Sequence, residues 1–175
     1  MEPTSILKAI KHCLPKKSGS PIPLHHPSFC GKEWEYDKKC PDTSWVSSVG
    51  KYVDEHEDPL QATTGAKFAI AVVNGTATLH LCLHLCGVEK DDEVLVPALA
   101  FVAVANAISY CNAVPHFVDC QEQTLGVDPV SLESYLEQTS EIKHGECFNK
   151  SSGRRIKALI AVHTFGHPVD LDAIS

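Results

Sequence analysis

Four short apolar runs, separated by gaps of helix length, constrain this chain most. The runs are Phe68–Val73, Glu93–Pro97, Val114–Val118 and Ile156–Val162. Each is four to eight residues long and has no polar alternation, the pattern of a strand buried on both faces. Parallel neighbours need a crossover of about a dozen residues or more, usually a helix. Ala77–Cys86, Phe101–Tyr110 and Pro129–Gln138 each have room for one. The order reads β-α-β-α-β-α-β, which predicts an α/β domain with a mostly parallel sheet and crossover helices. Leu79 to Cys86 also alternates like a strand. The crossover requirement and Gly87 as a stop decide for helix, with Leu79, Cys82, Leu83 and Cys86 on one stripe. Before Lys67 the signal is weaker. Thr4–Cys13 predicts a short helix stopped by Pro15, and Lys16–Pro27 an extended arm. Ser47–Thr64 is partly helical, and Pro59 should end or kink it. Asp170–Ser175 reads as the first turn of a helix.

Charge and apolar content exclude some functions. The 175 residues carry a formal charge of −7, whereas a nucleic-acid binder usually shows a basic field. No apolar run approaches the ~18 residues that cross a bilayer, and Met1-Glu2-Pro3-Thr4 does not open a signal peptide. A cytoplasmic protein is expected. Eight cysteines without a Cys-x-x-Cys pair then read as free thiols, mostly packed as small hydrophobes.

Asn74-Gly75-Thr76-Ala77 lies where a strand gives way to a helix. The first amides of a helix have no internal partner, and the helix dipole adds positive charge there, so a phosphate fits. Gly75 lets the backbone approach closely. Thr76 adds a hydroxyl and can also cap the helix. The same four residues also fit a plain capped turn. Phe101 follows the second strand, at the carboxyl edge where open α/β sheets place ligands. It can stack on a flat ring or belong to the core. His163-Thr164-Phe165-Gly166-His167-Pro168 follows the fourth strand at that edge, and His163 can touch a ligand. His80 with His84, and His163 with His167, are metal pairs by spacing, but neither has an evident third ligand. Gly50-Lys51 is not a phosphate loop, because Tyr52 stands where Ser or Thr is required.

Taken in order, several segments resemble the DegT/StrS-type sugar aminotransferases of fold type I, nearest the legionaminic-acid-type nucleotide-sugar branch. They are Ile22-Pro23-Leu24-His25 with Pro27-Ser28-Phe29, Trp45 to Val53, Val73 to Ala77, Asp92 to Leu99, Phe101-Val102-Ala103, Pro115 to Asp119, and His163 to Asp172. Asp91, Ala100 and Pro59 depart from the family pattern. The helix and arm read above make residues 1–21 a separate N-terminal segment, and the resemblance implies part of the transferase large domain over 22–175. It implies that Gly75, Thr76 and Ala77 hold the phosphate of pyridoxal 5′-phosphate (PLP) and that Phe101 stacks on its ring. It places Trp45, Ser47, Lys51 and His163 near the substrate. It implies transfer of an amino group from glutamate to a nucleotide-linked 4-keto-6-deoxy sugar by a homodimer. It puts the aspartate that pairs with the pyridine nitrogen, and the lysine that binds the cofactor covalently, beyond Ser175. No catalytic residue is therefore expected among these residues, and the chain by itself should be inactive and have an open sheet edge. The other reading is a non-catalytic module that binds a phosphate ligand or serves as a dimer partner.

Overall fold

The computed structural model describes residues 3–14 and 27–175. The arm expected before Pro27, including Ile22 to His25, lies outside the described residues. The chain forms two compact units, 1–55 and 56–175.

The first unit holds α1 (Pro3–Cys13), α2 (Glu33–Asp42) and the start of α3 (Lys51–Thr64). α1 matches the expected helix. α2 was not expected: it has no buried residue, so it carries no apolar stripe to read. A Lys38–Asp42 pair at 2.9 Å spans its last turn. α3 runs through Pro59 to Thr64, so Pro59 does not end the helix. Proline removes one backbone donor. Here the loss falls on a helix with no buried residue, where water can serve the carbonyl left over.

The second unit continues with α4 (Gly75–Leu85), β1 (Glu93–Pro97), α5 (Val102–Tyr110), β2 (Val114–Val118) and α6 (Pro129–Thr139). β3 (Ser140–Lys143), β4 (Glu146–Asn149), β5 (Arg155–Leu159), a 3-10 turn (Thr164–Gly166) and α7 (Leu171–Ile174) follow. The sheet order is β2-β1-β5-β4-β3. β1 pairs in parallel with β2 (Glu93 opposite Val114) and with β5 (Val94 opposite Ala158). The β3–β4 hairpin adds antiparallel strands on the β5 side. The α/β class with a mixed, mostly parallel sheet thus stands, and the hairpin is an addition to it. Its turn is His144-Gly145, with φ of 53° and 81°. Two positive φ values make the two-residue turn that suits a hairpin, usually signalled by Asn-Gly or Asp-Gly.

β1 shows why its run is apolar throughout. Val94 and Val96 face α4 and α5, in a core with Leu83, Val104, Ala107 and Ile108. Leu95 faces the other way, in a core with Val118, Val127, Leu132 and Val169. Asp128 caps α6 through Val130 N at 3.1 Å and Ser131 N at 3.3 Å, with Pro129 at the first helical position.

Two expectations are corrected. Phe68–Val73 forms no strand: Phe68 is 71% exposed, Ile70 78% and Val73 88%. A strand exists only by lateral pairing, and among the described residues Phe68–Val73 pairs with no strand of the sheet. The cysteines are free thiols, but none is buried, and Cys13, Cys30, Cys82 and Cys86 are exposed. On α4 only Leu83 is fully buried, with Leu79 packed beside it, so the inward stripe is narrower than the spacing of Cys82 and Cys86 suggested.

Asp91 has a φ of 69°, the left-handed region that costs an L-residue roughly 1–2 kcal/mol. This explains why glycine is usual here in the family that the sequence resembles. Asp91→Gly is expected to stabilise the chain by up to about 1 kcal/mol, partly offset by a freer unfolded chain. A urea melt with an unchanged or lower midpoint would contradict this.

Candidate functional site

The parallel strands end at Pro97, Val118 and Leu159, and their carboxyl edge is where open α/β sheets bind ligands. α4 leads into the start of β1 through a short turn. Its N-terminus therefore returns to the carboxyl edge, since 11 helical residues (about 16 Å) and 5 strand residues (about 17 Å) have similar lengths. α5 begins just past β1. Two helix N-termini thus open on the same edge.

At the first of them, Asn74 is the cap, not Thr76. Its backbone is extended, and its Oδ1 accepts from Ala77 N at 2.9 Å. Asn74 O accepts from Thr78 N at 3.1 Å and from Thr78 Oγ1 at 3.2 Å. The amides of Gly75 and Thr76 have no acceptor among the described residues. The first turn carries no acidic residue. A Cβ built on Gly75 would meet nothing within 4 Å. The turn therefore offers two amide donors, the Thr76 hydroxyl and open space, which suits a phosphate. The Ala77 amide is already held by Asn74.

Phe101 precedes α5 and is 74% exposed, so its ring is not part of the core. His163 precedes the 3-10 turn and is also exposed. Its Nδ1 accepts from Val169 N at 3.1 Å, which puts the ring proton on Nε2, pointing away from that bond. Thr164 is buried, and its Oγ1 lies 3.4 Å from Leu99 O and 3.3 Å from Leu125 O. This hydroxyl ties the His163 loop to the loops after β1 and β2. The sequence reading missed Thr164, because a buried threonine looks like any loop threonine. Among the described residues no cluster of three His, Cys, Asp or Glu side chains could hold a metal ion. The spacing of His80 with His84, and of His163 with His167, is thus not extended by a third ligand.

Gly126 locks the same loops from below. It is buried, and a Cβ there would overlap Val169 Cγ2 and sit 3.2 Å from Val162 O. Val169 is buried and β-branched, so it cannot swing aside cheaply. Gly126→Ala is expected to cost about 1–3 kcal/mol and to displace the segment that orients His163. Thermal denaturation checks the cost; an unshifted transition would show that the loop repacks freely.

In the first unit, Trp45, Ser47 and Lys51 line one cavity of about 440 Å³ with Lys39, Thr43 and Tyr52. The three residues singled out there by sequence are thus brought together. Lys51 Nζ lies 3.3 Å from Glu55 Oε1, and both side chains are exposed.

The amino edge of the sheet carries the most connected polar cluster. Glu93 Oε2 lies 2.6 Å from His116 Nδ1 and accepts from Asn149 Nδ2 at 2.9 Å, and Oε1 accepts from Ser152 Oγ at 2.6 Å. His116 Nε2 is 2.8 Å from Tyr135 Oη. Because Glu93 opens β1, this cluster stands at the opposite end of the sheet from the Asn74 turn.

Residues 31–175 match the DegT/DnrJ/EryC1/StrS aminotransferase family. Over 153 residues the chain is 37% identical to GDP-perosamine synthase of Escherichia coli O157:H7, covering 87% of this chain and 38% of that one. It is 37% identical to GDP-perosamine synthase of Caulobacter vibrioides, covering 87% of this chain and 37% of the relative. The chain thus spans well under half the length of these relatives. A sugar aminotransferase structure from Streptococcus pneumoniae, in its PLP form, superposes with a TM-score of 0.66 at 26% identity, over 87% of this chain and 35% of that one. The fold is that of type I aminotransferases, and PLP is the cofactor of the family. With its sequence matched over residues 31–175, the chain belongs to the DegT/DnrJ/EryC1/StrS aminotransferase family, whose sugar aminotransferases serve nucleotide-sugar biosynthesis.

Proposed function

We propose that these residues are the cofactor-anchoring part of a PLP-dependent enzyme that moves an amino group from glutamate to a nucleotide-linked 4-keto-6-deoxy sugar. The observation that carries this is the N-terminus of α4, with two unpartnered amides, the Thr76 hydroxyl and no acidic neighbour. When bound, PLP supplies the carbonyl that carries the amino group and the electron sink for proton removal. The chain's own residues bind and orient. Gly75 N, Thr76 N and Thr76 Oγ1 hold the phosphate, and Ala77 shapes the turn through its bond to Asn74. Phe101 covers a ring face, and His163 presents its Nε2 proton to the ligand. Trp45, Ser47 and Lys51 line a pocket for the sugar nucleotide, with the Lys51 ammonium toward its phosphates. The same reading assigns the working enzyme a homodimeric state and a cytoplasmic location.

The second reading, a non-catalytic phosphate-binding module, is favoured by one observation. The loops at the carboxyl edge, 98–101, 119–128 and 160–170, hold no lysine. The 175 residues by themselves then bind the phosphate group without transferring an amino group.

The turn is tested by titrating the chain with PLP and with pyridoxal, which lacks the phosphate. Gly75→Ala is expected to fold as well as the parent, since its Cβ meets nothing, but to weaken PLP binding by tenfold or more. Thr76→Val should weaken it about 10- to 100-fold, the worth of one hydrogen bond to a charged group at roughly 1.5–3 kcal/mol. Pyridoxal binding should barely change in either. Equal losses for both ligands, or none, would remove the phosphate from this turn.

A further inference from the structure

Glu93 on β1, His116 on β2 and Tyr135 on α6 form a line from the sheet to the surface. Glu93 Oε2 lies 2.6 Å from His116 Nδ1, and His116 Nε2 lies 2.8 Å from Tyr135 Oη. The line opens outward: the Glu93 side chain is 5% exposed, that of His116 10%, and Tyr135 39%. Asn149 Nδ2 and Ser152 Oγ also donate to the Glu93 carboxylate. An ionised carboxylate only accepts, so the proton on His116 Nδ1 belongs to the bond with Glu93. In the neutral ring Nε2 is then the acceptor of the phenol proton. A hydroxyl within reach of a base, with the base oriented by a third group, is the arrangement that turns a hydroxyl into a nucleophile. None of the three residues has a part in binding at the Asn74 turn, which lies at the other end of the sheet.

Tyr135 also lines a cavity of about 310 Å³, with Phe117, Val118, Asp119, Ser131 and Leu132. That volume is at the lower end for small-molecule sites. Three of these side chains are apolar, and Asp119 is the one charged member of the lining. Its carboxylate disfavours an anionic donor such as an acyl phosphate, but not a small uncharged one. We propose that Tyr135 is an acyl-acceptor site, a phenol that takes the acyl group of a small, uncharged, activated acyl donor with His116 as the base. The Tyr135 oxygen forms a bond to the acyl carbon, and the bond from that carbon to the leaving group breaks. The phenol proton passes through His116 Nε2 to the leaving group. The product is an aryl ester on Tyr135. Glu93 is a positioning residue, which holds the imidazole with Nε2 toward the phenol.

The test is limited acetylation of the 175-residue chain with N-acetylimidazole at about pH 7, followed tyrosine by tyrosine with peptide mass spectrometry. Exposure alone ranks Tyr110, at 59%, and Tyr36, at 46%, ahead of Tyr135. The expected order is the reverse, with Tyr135 at least tenfold faster than either. His116→Gln keeps an acceptor near the phenol but cannot take its proton. It should slow Tyr135 about a hundredfold, the lower range of what a general base supplies, and leave Tyr36 and Tyr110 as they were. A parent whose rates follow exposure overturns the proposal. So does a folded His116→Gln chain in which Tyr135 reacts as in the parent. If that variant does not fold, the parent decides alone. The advantage of Tyr135 should shrink as the pH nears 10, where any phenol ionises without a base, and an advantage that stays constant overturns the proposal.

Discussion

Glu93→Ala is expected to remove about 3–5 kcal/mol of stability, the usual cost of deleting one partner of a buried charged cluster. The Glu93 side chain is 5% exposed. Burial alone pushes its carboxyl up. Hydrogen bonds from Ser152, Asn149 and His116, with the charge interaction with His116, outweigh burial and hold it below the ordinary carboxylate range. Without the carboxylate, Asn149, itself buried, and His116 lose their shared acceptor. The damage spreads because His116 sits on β2 and Asn149 on β4. Glu93→Gln should be milder, since one oxygen remains, but its NH₂ faces donors. Urea denaturation of the two variants measures this. A loss under about 1 kcal/mol for Glu93→Ala would show that water enters and replaces the carboxylate.

Arg155→Met is expected to cost about 3 kcal/mol or more for a related reason. Arg155 donates from Nε to Asp92 Oδ1 at 2.9 Å and from Nη2 to Asp92 Oδ2 at 2.7 Å, a two-pronged pair. Nη1 reaches Glu146 Oε1 at 2.8 Å. The side chain thus joins β5 to the entry of β1 and to β4. Its bonds to the Asp92 and then the Glu146 carboxylate hold its pKa above the usual arginine range. Burial pushes the Asp92 carboxyl up, but Arg155 and the Glu89 amide bring it below its ordinary value. The pH dependence follows from that sign. A lowered folded pKa gives stability that is fully present above the unfolded value, near pH 4. It is lost as the pH falls through the lower folded value. Both Asp92 and Glu93 act in this direction, so the parent should lose stability progressively below about pH 4. In Arg155→Met the Asp92 carboxylate is buried without its partner and its pKa rises. The variant should therefore be far weaker than the parent at pH 7 and closer to it at pH 3. Urea midpoints at the two pH values check this; a constant gap would mean that Arg155 acts through packing alone. Arg155→Lys should recover only part, because an ammonium cannot make the paired contact.

Neither of these residues was singled out from the sequence. Asp92 and Glu93 stand at the head of an apolar run, where a charged pair reads as a solvated strand end. Their partners lie 23 to 63 positions away, and no local pattern encodes such pairings. His144-Gly145 escaped for a different reason: the turn is set by backbone φ values, and histidine is not the residue that advertises them. The cysteines of α4 were misjudged because period alone does not say how wide a buried stripe is.

The sequence by itself determined the α/β order, the helices after Asn74, Phe101 and Asp128, and the strands at Glu93 and Val114. These follow from local rules: apolar period, caps, stops and the room a crossover needs. It also marked the Asn74 turn, since an unpaired helix end is a property of a few adjacent residues. Tertiary structure alone decided which apolar run becomes a strand. Phe68–Val73 is as apolar as β1 but remains unpaired among the described residues, because a strand is made by its neighbours and no strand of the sheet pairs with it. It likewise decided that Thr164 and Gly126 pin the loops around His163. Those outcomes depend on distances between segments far apart in the chain, which packing sets and local sequence does not.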